Sequence, residues 1–300
     1  MTPRHVIVLG AARSGTKMMR DALAEATGAG KVPYDVGFVW RRGNEAHPDD
    51  AISPASVDER SLRFIHRFID GYADGSPISV IEKTVGNTMR IPVVAKAFPD
   101  AVYIHLIRDG VDVIESTRRQ WTAPTRLGYI LAKTRHFPLR MIPGHGLRYL
   151  LSLARRSVSK DGRVASWGPR YPGIDEDLRS QSLLVVCARQ WGRAVTASSS
   201  ELARLGLVSI DVRYERLVQD PVAELRRIAE FAGLEIIEDA MGEFAAGIKL
   251  DRQGIGRANL TAEELAVVDA EVGDLLSQLS YDRPGQRATS SQDVKDADNG

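Results

Sequence analysis

The 300-residue chain holds a single cysteine, Cys187. One cysteine excludes an internal disulfide framework and a cysteine-built metal site, and it suits a reducing compartment. Burial as a small apolar side chain is the role expected of Cys187. Long hydrophobic runs are missing too: no stretch approaches the ~20 apolar residues that a membrane-crossing helix needs. The first apolar run begins almost at the N-terminus and leaves no room for a signal peptide, so a cytoplasmic location is expected. Charge of one sign is also absent, with 40 Lys and Arg against 39 Asp and Glu and a net charge of +1. No global field draws the molecule to nucleic acid, and no nucleic-acid partner is expected. His, Cys and carboxylates do not gather at metal-ligand spacing, so no metal is expected either.

What is present is a globular composition, 43% hydrophobic and 26% charged. The run His5-Val6-Ile7-Val8-Leu9 is apolar, partly β-branched, too short for a helix and closed by Gly10, the pattern of a buried parallel strand. After Ser14 the period changes: Met18, Met19, Ala22, Leu23 and Ala26 share one face of a helix that stops at Gly28. Strand, small-residue loop and helix start therefore follow one another through Arg13, Ser14, Gly15, Thr16 and Lys17. The free N–H groups of the first turn, the helix dipole and the two cations make a cradle for a phosphate-like anion. Gly10 and Gly15 fit G-x-x-x-x-G, but an ATP-type loop continues with Lys and then Ser or Thr, whereas here Thr16 precedes Lys17.

Further along, residues 29–60 are rich in Gly, Pro, Asn and Asp and read as an ordered loop region. A helix is expected over Val57–Tyr72, with Leu62, Ile65, Phe68 and Ile69 at helical spacing. A second strand, Ser79–Glu82, runs into Lys83 and Thr84, and a lysine at the end of a parallel strand stands where open α/β sheets bind ligands. The third strand, 101–107, ends in Arg108 and passes into a helix carrying Ser116. Eight positions apart, an arginine and a hydroxyl can grip one phosphate from two sides. His105 and Trp191 read as structural, Val208–Tyr214 as a fourth strand, and Asp220-Pro221 as the start of a helix stopped by Gly233. A glycine loop with Arg257 precedes a final helix opened by the capping box Thr261 to Glu264.

Four of these segments resemble one known family. Arg13-Ser14-Gly15-Thr16 is similar to the 5′-phosphosulfate loop of sulfotransferases that use 3′-phosphoadenosine 5′-phosphosulfate (PAPS), in the bacterial Arg-Ser-Gly-Thr branch related to the tyrosylprotein enzymes. Glu82-Lys83-Thr84 with Asn87 resembles their Glu-Lys-Thr-Pro-x-Asn segment, with Val85 in place of proline. Arg108-Asp109-Gly110-Val111-Asp112 through Ser116 matches the 3′-phosphate signature, and Arg213-Tyr214-Glu215 resembles a segment bordering the adenine pocket. The resemblance implies a P-loop-like three-layer α/β fold, a central parallel sheet flanked by helices, in one domain over residues 1–283 with a tail at 284–300. It also implies sulfuryl transfer from PAPS without a metal. Arg13, Ser14, Gly15, Thr16, Lys17, Arg108, Ser116, Tyr214 and Arg257 would bind the nucleotide, and Arg13 and Lys83 would carry the charge of the leaving group. The general base that the family places roughly twenty residues after the loop arginine falls nearest Asp35, with Glu45 the alternative.

Between the phosphate segments, residues 122–180 read as a helical insertion on the substrate side. From Arg126 to Arg163 nine Lys or Arg stand against one acid, Asp161. This is either a solvated basic face or a surface for an anionic partner, an acidic glycan or the headgroups around a lipid acceptor. A small molecule, glycan or lipid is therefore the expected acceptor. A P-loop kinase or NTPase and a non-catalytic nucleotide-binding module remain as alternatives.

Overall fold

The computed structural model describes residues 4–73, 79–122, 167–240 and 253–284. Five parallel strands form one sheet in the order β2-β3-β1-β4-β5, with β1 at Arg4–Leu9, β2 at Gly30–Lys31, β3 at Ser79–Glu82, β4 at Val102–Ile107 and β5 at Ser209–Arg213. Alternation decides which layer each strand residue enters. Val6 and Val8, with Ile81, Ile104, Leu106 and Val212, meet α1 (Thr16–Thr27), α8 (Tyr214–Gln219) and α9 (Pro221–Ala232) on one face. Ile7 and Leu9, with Val80 and Tyr103, face α2 (Gly37–Trp40), α3 (Glu59–Asp70) and α4 (Ile91–Ala97) on the other. A second cluster on that side joins α5 (Gly110–Thr122), α7 (Leu183–Arg204) and α11 (Ala262–Gln278) through Trp121, Trp191 and Leu276. Two short helices, α6 (Ile174–Ser180) and α10 (Ile255–Asn259), precede α7 and α11. The arrangement is the P-loop-like three-layer α/β fold.

The helix boundaries follow local chemistry. Asp58, Ser182 and Asp220 cap α3, α7 and α9 by accepting backbone N–H groups, and Thr261 with Glu264 forms a complete capping box on α11. Gly28 and Gly233 end α1 and α9 in the left-handed region.

Three expectations change. Residues 29–60 are not loop alone: β2, α2 and a 3-10 turn at Pro54–Ser56 lie within them. A two-residue strand has no alternation to read, and Gly30 is required by packing, since a Cβ there would meet the Tyr72 carbonyl oxygen at 1.9 Å. Tyr214 does not end the fourth predicted strand but opens α8. The glycine loop expected around Arg257 contains the short helix α10, which carries Gly256 and Arg257. His105 is structural as expected, fully buried and bonded to Asp211 on the neighbouring strand at 3.0 Å. Cys187 is buried as expected, and burial pushes its thiol up to about 12, far from nucleophilic use. Among the described residues no helix is long and apolar enough to cross a membrane. Most of the expected insertion (123–166), the basic stretch within it and residues 285–300 of the tail lie outside the described residues.

Candidate functional site

The loop after β1 arrives at the carboxyl edge of the sheet, the edge where open α/β folds hold ligands. Its shape is set by close approach. A Cβ at Gly10 would lie 2.6 Å from the Leu106 carbonyl oxygen, so only glycine lets the chain turn beside β4. Gly15, at φ 92, packs against the Tyr214 ring, and a Cβ there would sit 2.7 Å from it. Arg13 itself adopts φ 72, a left-handed conformation that costs a non-glycine residue about 1–2 kcal/mol. No side chain caps the N-terminus of α1. The N–H groups of its first turn therefore face the loop without intrahelical partners, as an anion cradle needs.

Arg13 is the meeting point of the two segments expected to bind phosphate. Its Nε donates to Ser116 Oγ on α5 at 3.0 Å, and its carbonyl accepts from Arg108 Nη1 at 3.3 Å. The pair Arg108 and Ser116, eight residues apart at the end of β4 and in α5, thus brackets the loop arginine rather than standing alone. Arg108 lies 4.2 Å over the Tyr214 ring, so Tyr214 supports both the guanidinium and Gly15 from below. Ser14 and Thr16 are buried within the loop. Lys17 behaves differently: its ammonium pairs with Asp21 one turn along α1 at 2.6 Å, and its side chain is 75% exposed. The i,i+4 spacing makes Asp21 the nearest anion in the absence of ligand.

The late glycine loop is knotted to this site through Asp112. Its carboxylate accepts the N–H groups of Gly254 at 3.0 Å and Gly256 at 2.7 Å, and Arg108 Nη2 at 3.3 Å. Gly256 approaches α5 so closely that a Cβ would meet the Val111 carbonyl oxygen at 2.4 Å. Arg257 turns to Asp109 and to the Asp282 carbonyl. Burial pushes the Asp109 carboxyl up, against the Arg257 charge that pulls it down. The family resemblance implies that Arg257 binds phosphate; here it ties α10 to the β4–α5 turn.

On the other side of the sheet edge, Lys83 leaves β3 and its Nζ meets Asp35 Oδ1 at 2.8 Å. The lysine side chain is 10% exposed and the carboxylate 39%, so the pair sits at a mouth rather than in the core. Glu45 is elsewhere in character: it is exposed and accepts the Gly43 N–H in a surface turn. Behind Lys83 lies Glu82, wholly buried. Its Oε1 accepts from Trp40 Nε1 at 3.1 Å and Thr84 Oγ at 2.6 Å, and its Oε2 from Asn87 Nδ2 at 3.0 Å. Burial pushes this carboxyl up to about 7, with the Thr84 and Trp40 hydrogen bonds opposing and the nearby Asp35 charge adding to the rise. Sequence reasoning assigned Glu82 no role, although an acid in a strand covered on both faces is itself a signal.

A second polar centre joins the loops flanking this mouth. Asp50 accepts from Arg41 at 3.0 Å, from Arg90 at 2.8 Å and from the Arg170 N–H at 2.9 Å. Burial pushes its carboxyl up, but Arg90, Arg170 and Arg41 outweigh that and hold it below the ordinary range. Residues 41–50 are thereby fastened to the 167–173 loop, which Gln190 holds from α7 through the Trp167 and Pro169 carbonyls.

A family model described as the sulfotransferase family matches residues 3–142 and 165–239. Two curated proteins, the omega-hydroxy-beta-dihydromenaquinone-9 sulfotransferases Stf3 of Mycobacterium bovis and Mycobacterium tuberculosis, are each 24% identical over 229 residues, covering 74% of this chain and 46% of theirs. The chain thus spans about half the length of the curated relatives it matches. Among solved structures, sulfotransferase STF9 from Mycobacterium avium aligns over 95% of this chain and 79% of its own, with a TM-score of 0.54 at 14% identity, a likeness of fold.

Proposed function

Because the chain belongs to the sulfotransferase family, we propose that it transfers a sulfuryl group from PAPS to a hydroxyl or amine of a small-molecule, glycan or lipid acceptor. The observation that carries the reading is the convergence on Arg13 of the uncapped α1 loop and the Arg108–Ser116 pair. Two anion-binding elements meeting at one residue suit a nucleotide with phosphate groups at both ends. The fit is also steric: Gly10 and Gly15 occupy positions where a side chain would strike β4 or Tyr214.

Bound there, the nucleotide supplies the sulfuryl group: sulfur gains a bond to the acceptor oxygen as its bond to the 5′-phosphate oxygen breaks, leaving 3′-phosphoadenosine 5′-phosphate. The 5′ end would be held by the N–H groups of Gly15, Thr16 and Lys17 with the Ser14 and Thr16 hydroxyls. The 3′-phosphate would be held by Arg108 and Ser116, with Tyr214 at the base edge and Arg257 closing the late loop. Arg13 and Lys83 would neutralise charge growing on the departing oxygen, and such cations act by binding the transition state more tightly than the ground state. Lys17 can join them by leaving Asp21. Asp35 is the choice for general base, since it alone of the two candidates touches a catalytic cation. Lys83, paired with Asp35 before the reaction, is freed to the leaving oxygen as Asp35 accepts the acceptor's proton.

The acceptor named in the relatives, an omega-hydroxy-dihydromenaquinone, makes a lipid alcohol a natural class to try. The basic stretch 126–163 would then serve contact with anionic headgroups, and pelleting with anionic vesicles in low salt tests that. The nucleotide assignment is tested by calorimetric titration with 3′-phosphoadenosine 5′-phosphate in EDTA, with ADP as control and Arg108→Ala alongside. Metal-free binding, absent with ADP and lost in the variant, is expected. Preference for ADP or ATP, or a magnesium requirement, overturns the reading in favour of a phosphotransferase.

A further inference from the structure

Glu82 is completely buried, and nothing in the transfer scheme uses it. Its partners define what it does. Thr84 Oγ lies 2.6 Å from Glu82 Oε1 and 2.9 Å from the backbone nitrogen of Val36. A hydroxyl has one proton, and a backbone nitrogen can only donate. Thr84 therefore accepts from Val36, and its single proton goes to Glu82. With Glu82 ionised the chain runs from Val36 N–H to Thr84 O–H to the Glu82 carboxylate. Trp40 Nε1 donates to the same carboxylate oxygen from α2, so two points of the 36–40 segment are tied to one buried anchor.

Asp35 has no such support from regular structure. Lys83 directly follows a strand buried throughout, whereas Asp35 lies before α2, outside any helix or strand. The bond nearest to Asp35 that reaches across to the β3 end through a side chain, other than the ion pair itself, is the one made by its neighbour Val36 with Thr84.

We propose that Thr84 is the positioning residue for Asp35: its hydroxyl, anchored on Glu82, pins the backbone next to Asp35 and so holds that carboxylate against Lys83. The inference rests on the reading of Asp35 as general base. A valine at 84 keeps the shape of threonine and loses the hydroxyl; a serine keeps the hydroxyl.

The test has two arms, both on the full chain, with binding of 3′-phosphoadenosine 5′-phosphate as the check on folding. In the first, crystal structures of Thr84→Val and Thr84→Ser are compared with the parent. The Asp35–Lys83 pair is expected to open beyond hydrogen-bond reach in the valine variant and to remain closed in the serine variant. An unchanged pair in Thr84→Val overturns the proposal. Should valine fail to fold, Thr84→Ala takes its place. In the second arm, release or transfer of label from 35S-PAPS is followed with water and with 4-nitrophenol as acceptors. Thr84→Val should lower kcat about tenfold with KM for PAPS unchanged, and Thr84→Ser should restore it. Glu82→Gln, which keeps an acceptor oxygen for Thr84, should stay within about threefold of the parent; a loss as large as that of Thr84→Val overturns the hydroxyl strut. A displaced pair together with wild-type turnover in Asp35→Asn upholds the strut and removes the general-base reading, so the two failures are distinct.

Discussion

Replacing Glu82 by Gln should change how stability depends on pH, and the size of the change follows from the site. The carboxyl is fully buried and its pKa is pushed from the ordinary 4.5 to about 7. A folded pKa above the unfolded one means that the folded state holds the proton more tightly. The contribution to stability is complete below pH 4.5 and is lost as pH rises through 7. Each pKa unit is worth 1.36 kcal/mol, so the wild type gives up about 3 kcal/mol across that window. Glutamine cannot titrate and gives up nothing. Its carbonyl oxygen still accepts from Thr84 and Trp40, and its amide finds the Asn87 side-chain oxygen, which is buried without a partner, once Asn87 turns over. Urea denaturation of both proteins at pH 5, 6, 7 and 8 reads the difference. The advantage of Glu82→Gln should grow with pH by about 3 kcal/mol and level off above pH 8. Parallel curves across the series would refute the assignment of a raised pKa and, with it, the account of how Glu82 is enclosed.

Other outcomes follow from single contacts. Arg13→Gly relieves a positive φ and should leave the melting temperature equal or higher, while sulfuryl transfer falls by 100-fold or more; loss of stability would contradict the strain. Asp35→Asn should abolish turnover and spare binding of 3′-phosphoadenosine 5′-phosphate, and full activity would move the base to Glu45. Asp50→Ala leaves Arg41 and the buried Arg90 without their shared carboxylate and should cost about 3–5 kcal/mol in urea titration, the usual result of removing one member of a buried ion pair. Gly15→Ala must displace the Tyr214 ring at an unfavourable φ, and nucleotide affinity should drop at least tenfold by calorimetry.

Much of the proposed nucleotide side was legible in the sequence because it is local. β1, its loop and α1 are contiguous, and the shift from a continuous apolar run to a 3.6-residue period marks the turn between them. The capping box of α11 and the proline start of α9 are also statements about neighbours. The contacts that complete the site are long-range. Arg13 meets Ser116 across 103 positions, and Lys83 meets Asp35 across 48. Spacing across the β4–α5 turn suggested that Arg108 and Ser116 share a ligand, but nothing in that spacing reveals Arg13 between them. β2 escaped because two residues carry no alternation. Lys17 with Asp21 was readable as an i,i+4 pair, and the reading of Lys17 as a cradle cation passed over it.

The two halves of the site differ in how they are held, and the difference bears on function. Around the proposed nucleotide site the described elements are cross-tied: Asp112 binds the 254–256 segment to α5, Arg257 binds Asp109, and Glu215 accepts the Asp109 N–H at 3.0 Å and the Tyr281 hydroxyl at 2.8 Å. Anion recognition of this kind gains from donors fixed before the ligand arrives, because no reorganisation is then needed. Among the described residues, the acceptor side is held by ties such as the Thr84–Glu82 strut beneath Asp35 and the Asp50 cluster joining residues 41–50 to the 167–173 loop. Acceptors vary in shape, whereas the donor does not. A base carried on an irregular segment but pinned at one backbone N–H can keep its distance to Lys83 while the residues around it change with the substrate.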